Sequence, residues 1–171
     1  HVQVVCSSYL PNWRIDKNYK KSVSALKELG GGVLLELSHE IDYVNWFFGP
    51  IKSVHAVLNK NQNLDLDVEE NADLILKNNT GFSISMHLDF NSQIDKRECI
   101  VRCSNGNLIL NVNQKSVMWY TADGIKEKKN FEHDEDEKYR LQLKHFFECI
   151  ENKKQPKISL LDGYNVMRII D

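Results

Sequence analysis

Gly30-Gly31-Gly32-Val33-Leu34-Leu35-Glu36-Leu37-Ser38-His39-Glu40-Ile41-Asp42-Tyr43 is the stretch from which the fold of this chain is read. Three glycines give the backbone freedom ahead of an apolar segment. Leu34, Leu37, Ile41, Val44 and Phe48 follow at three- and four-residue steps, and Leu35, His39, Tyr43 and Trp46 form a second stripe. A helix over residues 33–48 with two such faces is buried on both sides. Gly49-Pro50 ends it. One histidine and three carboxylates ride on this helix. Polar groups in so apolar a setting cost free energy unless something hydrogen-bonds them, and a substrate is one candidate.

Around the helix the pattern changes to period two. Residues 2–9 read as a strand, followed by a turn-rich loop at 11–16 and a polar stretch to Leu29. Val54, Ala56 and Leu58 alternate with Ser53, His55 and Val57. A strand at 72–77 turns at Asn78-Asn79-Thr80-Gly81 and returns over 82–90, where Phe82, Ile84, Met86, Leu88 and Phe90 oppose Ser83, Ser85, His87 and Asp89. Two more hairpins pair 98–103 with 108–112 and 116–121 with 125–131. The acidic run 132–137 lacks calcium-loop spacing and reads as the solvated start of a long helix with Tyr139, Leu143, Phe146, Phe147 and Ile150 on its apolar side. Pro156 separates it from a last helix carrying Leu160, Leu161, Tyr164 and Met167. The expected fold class is α+β: an open, mainly antiparallel β-sheet with helices packed on one face. Its free face then shows Ser83, Ser85 and His87 and suits pairing with a second copy of the chain.

At 171 residues, 42% hydrophobic and 27% charged, the chain is sized for a single domain, residues 1–171, around one core. A formal net charge of −2 argues against a general nucleic-acid or anionic-membrane binder. No apolar run approaches the ~20 residues needed to cross a bilayer, and no leader peptide is readable. The strand-like opening His1-Val2-Gln3-Val4-Val5 and the helical pattern running to Asp171 read as a piece of a longer protein. Cys6, Cys99, Cys103 and Cys149 show neither a CxxC pair nor zinc-ligand spacing, so no metal site is expected. They read as reduced apolar filler, which places the chain in the cytoplasm. His55, His133 and His145 stand outside any constellation.

Trp13-Arg14, the run from Gly30 to Asp42, and Trp46-Phe47-Phe48-Gly49 together resemble the C-terminal domain of the glucose–fructose oxidoreductase / inositol dehydrogenase / rhizopine catabolism (Gfo/Idh/MocA) family. Glu69-Glu70-Asn71-Ala72-Asp73 and Ser159-Leu160-Leu161-Asp162-Gly163-Tyr164 add to the match. The resemblance implies a two-domain NAD- or NADP-dependent oxidoreductase acting on a sugar, polyol or sugar derivative. It implies an N-terminal Rossmann domain that binds the dinucleotide and carries a Glu-Lys-Pro motif with the catalytic lysine. Neither that motif nor a Gly-x-Gly-x-x-Gly occurs here, and Gly30-Gly31-Gly32 has the wrong spacing for a dinucleotide fingerprint. The chain is therefore expected to be the substrate-binding and oligomerisation half, without turnover of its own, with the Rossmann domain and a second copy as partners.

His39 matches the histidine that the family places as general base. An imidazole, with its ordinary pKa of about 6.5, suits removal of a hydroxyl proton at neutral pH. The family's usual acid lies four residues earlier, where this chain has Leu35; Glu36, three before His39, is the candidate in its place. Asp42, one turn later, either fixes the imidazole or bridges structure. Arg14, through its fork of donors, and Trp13 beside it are candidates for holding substrate, with Tyr19 and Lys20 weaker ones of the same kind. The bland alternatives are a core histidine bonded to Glu36 or Asp42, and a surface arginine beside a tryptophan lid. In that reading the chain is a non-catalytic module that binds or assembles through its sheet, and His87 serves the sheet interface.

Overall fold

Val2, Val4 and Cys6 are buried while Gln3, Val5 and Ser8 between and beyond them are only half-covered, the alternation of a strand with one face on a core. This strand, β1 (Val2–Tyr9), lies in the middle of the computed structural model, which describes residues 1–60, 63–132, 134 and 136–171. Four short 3-10 turns lead from β1 to two helices, α1 (Val33–Glu36) and α2 (Ser38–Phe48). Strands β2 (Ile51–Asn59), β3 (Asn71–Asn78), β4 (Ser83–Asp89), β5 (Asn91–Cys103), β6 (Gly106–Asn111), β7 (Ser116–Thr121) and β8 (Gly124–Asn130) follow. Helices α3 (Glu137–Glu151) and α4 (Leu160–Ile170) complete the order.

Among the described residues the strands form one eight-stranded sheet in the order β2-β3-β4-β1-β5-β6-β7-β8. Every pair is antiparallel except β1 with β4. The register aligns Leu74, Met86, Val4 and Cys99 in one row and Leu76, Ile84, Val2 and Val101 in the next. These rows, with Val33, Leu34, Leu37, Ile41 and Val44 from α1 and α2 and Val166 from α4, make the core. The opposite face carries Gln3, Val5, Ser85 and His87 and is open, as the sequence pattern predicts. No helix is long and apolar enough to cross a membrane.

Three features depart from the sequence reading. The predicted helix over 33–48 is two helices, because Leu37 (φ −100°, ψ 21°) leaves helical geometry and re-aims the second segment. β5 starts at Asn91, seven residues before the expected strand, since its polar first half pairs with β1 from Tyr9↔Asn91 to Cys6↔Arg97. Helix α3 forms as expected but buries no residue: Tyr139, Leu143, Phe146, Phe147 and Ile150 are all exposed. Of the acidic run before α3, His133 and Glu135 lie outside the described residues.

The glycine triplet has a packing job. A Cβ on Gly31 would lie 2.5 Å from the Val23 carbonyl oxygen, and one on Gly32 would meet the Glu69 carboxylate. Glu69 itself accepts from the Leu34 amide at 3.2 Å and its carbonyl from the Val33 amide at 3.1 Å, satisfying donors at the start of α1.

Candidate active site

The break at Leu37 sets the azimuth of α2, so that His39 points to solvent while Glu40, the next residue, points inward. Glu40 is 0% exposed and sits beneath the sheet-facing side of the helix. Period-two alternation on β5 places Arg97 on the same face as Cys99 and Val101, so its guanidinium comes up under α2. Arg97 Nε donates to Glu40 Oε1 at 2.6 Å, and its Nη2 lies 2.6 Å from the same oxygen. On the other side His39 Nε2 is 3.1 Å from Glu40 Oε1. The Tyr43 hydroxyl and the Cys6 thiol face this carboxylate as well.

Burial alone would push the Glu40 carboxyl up, but the hydrogen bond from His39, the Arg97 charge and Tyr43 outweigh it and hold the group below its ordinary range. Glu40 is thus an anion at neutral pH. Burial, reinforced by that anion, raises the Cys6 thiol to about 12 and drives the Tyr43 hydroxyl well above its usual value. Burial likewise takes Cys99 to about 11. The thiols are therefore protonated and unreactive.

His39 has 47% of its side chain exposed and opens onto a cleft of about 280 Å³ that Cys6, Trp13, Leu37, Lys96 and Arg97 also line. With Nε2 committed to an acceptor-only carboxylate, the ring proton belongs on Nε2 and Nδ1 is left as the basic atom. The arrangement is that of an imidazole oriented from behind by a fixed negative charge. Cys6, His39 and Glu40 have ligand atoms within 4.8 Å of one another. The Arg97 charge on Glu40 and the protonated thiol make this donor set suited to moving a proton rather than holding a cation.

The other predicted residues are spread over three places. Trp13 lies on the His39 cleft, its Nε1 donating to Ser8 Oγ at 2.9 Å and its ring edge-on to buried Phe90, centroids 5.3 Å apart. Arg14 lines a neighbouring pocket on the far side of Trp13. Asp42 faces a separate cleft of about 810 Å³ between α2 and α4, with Tyr43, Trp46, Asn165 and Arg168. Glu36, half-buried at the end of α1, forms no hydrogen bond with His39 among the described residues, and neither does Asp42. The residues that do complete the histidine's surroundings are Glu40 and Arg97, to which the sequence reading gave no role. Extending the alternation of Cys99 and Val101 back two residues places Arg97 on the core face, a signal that was there to be read.

On the open face a second histidine is clamped. His87 Nδ1 is 2.7 Å from Asp73 Oδ1 and Nε2 is 3.0 Å from Asp89 Oδ2. The Asp89 bond, against the opposing effect of burial and with help from Asp73, raises the imidazole to about 9, so it is cationic at neutral pH. Asp89 is held in turn by the amides of Asn91 and Ser92 at 2.9 and 2.8 Å.

An eight-stranded open sheet is backed by helices, with a histidine-bearing cleft at their junction. The family model described as "Oxidoreductase family, C-terminal alpha/beta domain" (Gfo/Idh/MocA) matches residues 13–171, and the chain belongs to that family. No curated protein sequence is significantly similar to it. Among solved structures, levoglucosan dehydrogenase in complex with NADH and levoglucosan has a TM-score of 0.81 at 17% identity, covering 96% of this chain and 52% of that one. The aldose-aldose oxidoreductase from Caulobacter crescentus complexed with glycerol gives 0.78 at 17%, covering 99% and 50%. UDP-N-acetylglucosamine 3-dehydrogenase GnnA from Acidithiobacillus ferrooxidans gives 0.76 at 11%, covering 98% and 49%. At these identities the likeness is one of fold, and the chain spans about half the length of each.

Proposed function

We propose that this domain is the substrate-binding and oligomerisation half of an NAD- or NADP-dependent oxidoreductase that oxidises a secondary alcohol of a sugar, polyol or sugar derivative. The observation that carries the reading is a solvent-open His39 ring held from behind by the fully buried, ionised Glu40. Sugar-acting enzymes among the structures of the same fold support the substrate class, and the NADH complexes of levoglucosan dehydrogenase among them support a dinucleotide. In such a protein a dinucleotide held by an N-terminal Rossmann module would supply the hydride acceptor. The chain's own residues handle the proton. His39 Nδ1 accepts it from the substrate hydroxyl, Glu40 stabilises the resulting imidazolium, and Arg97 keeps Glu40 ionised and in place. Trp13, on the same cleft, gives the sugar an apolar platform; Arg14, Glu36 and Asp42 lie outside this cleft's lining and are assigned to more distant parts of the substrate. Protonated thiols at Cys6 and Cys99 fit a reducing, cytoplasmic setting.

A second reading, assembly through the sheet, has its own support: the open face carries Val57 and Ile75, both exposed, beside the clamped His87. Both roles fit one protein. The test is to mix the intact protein with NAD or NADP and a panel of sugars and polyols and to follow nicotinamide absorbance. Reduction with at least one of them, together with dimers or larger species in light scattering, is expected. Absence of reduction across the panel overturns the enzymatic reading, and a monomer at micromolar concentration overturns assembly.

A further inference from the structure

The loop after β1 gathers Arg14, Lys17, Lys20, Lys21 and Lys27 against Asp16 and Glu28, a local positive excess in a chain whose net charge is −2. Lys20 is neutralised by Asp65 at 2.7 Å. Arg14, Lys17 and Lys21 have no acidic partner among the described residues, and all three line one pocket of about 240 Å³ with Trp13, Tyr19 and Ser22. Three unpaired cations lining one concavity repel one another, and an anion placed among them relieves that repulsion. Ser22 belongs to the same lining, its hydroxyl buried without a hydrogen-bond partner. The walls are fixed. Tyr19 donates its hydroxyl to the Leu64 carbonyl at 3.2 Å, and Trp13 is pinned by Ser8 and Phe90.

Trp13 is also a wall of the His39 cleft, so one indole separates the basic pocket from the imidazole. The pocket, at about 240 Å³, suits a substituent. We propose that the Arg14–Lys17–Lys21 pocket receives an anionic substituent of the substrate, a phosphate or a carboxylate, while the alcohol to be oxidised lies at His39. This rests on the sugar-oxidising reading above and narrows it to sugars that carry a negative group. The fork of Arg14 matches either anion in bidentate fashion.

Calorimetric titration of the protein at low ionic strength with inorganic phosphate, with glucuronate and with glucose tests the pocket without turnover. Phosphate or glucuronate is expected to bind at least tenfold tighter than glucose, the stronger of the two naming the substituent. The binding is expected to weaken about tenfold for each of Arg14→Ala, Lys17→Ala and Lys21→Ala, as for loss of one charged hydrogen bond, and to be unchanged in Lys153→Ala. All three cations are exposed, so these variants keep the fold, and thermal melts check it. Equal binding of the anions and glucose, or anion binding that persists in the triple variant, overturns the pocket. Sugar turnover in a protein that binds neither anion leaves the His39 reading standing alone. Anion binding that depends on these cations, without turnover of any sugar, supports the pocket and overturns the enzymatic reading.

Discussion

Replacing Arg97 by methionine removes the charge that lies under α2 and leaves Glu40, 0% exposed, as a buried carboxylate with the His39 ring as its remaining partner. Breaking a buried pair from one side costs about 3–5 kcal/mol. Arg97 is 34% exposed, and His39 still donates, so the loss falls at the lower end, about 3 kcal/mol, or roughly a hundredfold in the unfolding equilibrium. The pH dependence changes too. In the native protein Glu40 titrates below its ordinary 4.5, so its contribution is present above that pH and is lost as the pH falls through the lowered value. Without Arg97, burial is opposed only by His39 and Tyr43, and the folded-state carboxyl moves up toward its unfolded value. The variant then gains less stability than the parent as the pH climbs through the acid range toward neutrality. Urea denaturation of both proteins between pH 4 and pH 8 reads both effects. The double variant Glu40→Met/Arg97→Met, which removes both charges, is expected within about 1 kcal/mol of the parent. An Arg97→Met protein within about 1 kcal/mol of the parent at every pH, with the same slope, refutes the idea that Arg97 sustains a buried anion.

Three further outcomes follow from the same structure. On the open face His87 is raised from 6.5 to about 9, worth about 3 kcal/mol if fully buried, and about 1 kcal/mol once solvent screening of its 39% exposed ring is counted. That stability is complete below pH 6.5 and disappears as the pH rises through about 9, so His87→Gln is expected to flatten the alkaline limb of a stability–pH curve; an unchanged limb counts against the clamp. Gly32→Ala, at φ +118° and against the Glu69 cap, is expected to cost about 2 kcal/mol by thermal melting, against about 1 kcal/mol for Gly81→Ala, which has φ +81° and open space; equal costs would show that the Glu69 contact contributes nothing. Phe90→Ala, at 0% exposure and under Trp13, is expected to cost about 3–5 kcal/mol by denaturant unfolding, whereas Phe146→Ser on exposed α3 is expected to stay within about 0.5 kcal/mol; the reverse order would place the core elsewhere.

The sheet was legible because its information is local. Ile84, Met86 and Leu88 alternate with Ser83, Ser85 and His87, and Asn78 to Gly81 supply the turn, so β3 and β4 follow from a few residues each. The break at Leu37 was not legible, because no glycine or proline marks it. The start of α1 is held by Glu69, thirty-odd positions away, and the helix is interrupted soon after, at Leu37. The first half of β5 was hidden for a similar reason: residues 91–97 are mostly polar and become a strand through pairing with β1. The site divides the same way. His39 could be picked out from its helix and from the family resemblance. Its charged neighbour could not be chosen among Glu36, Glu40 and Asp42 by spacing, since the answer depends on Arg97 arriving from a strand 57 positions later. Trp13 and Arg14 sit side by side in sequence and share one pocket, yet of the two only Trp13 also lines the His39 cleft.

The pH profile of kcat/KM for the intact protein carrying His39→Ala, measured beside the parent with its best sugar, bears most directly on the role given to the imidazole. A fall of about 10²- to 10⁴-fold, with loss of the ionisation that limits the parent at low pH, is the expected result. Activity within about threefold, under ~1 kcal/mol of barrier, with the low-pH limb intact would contradict it.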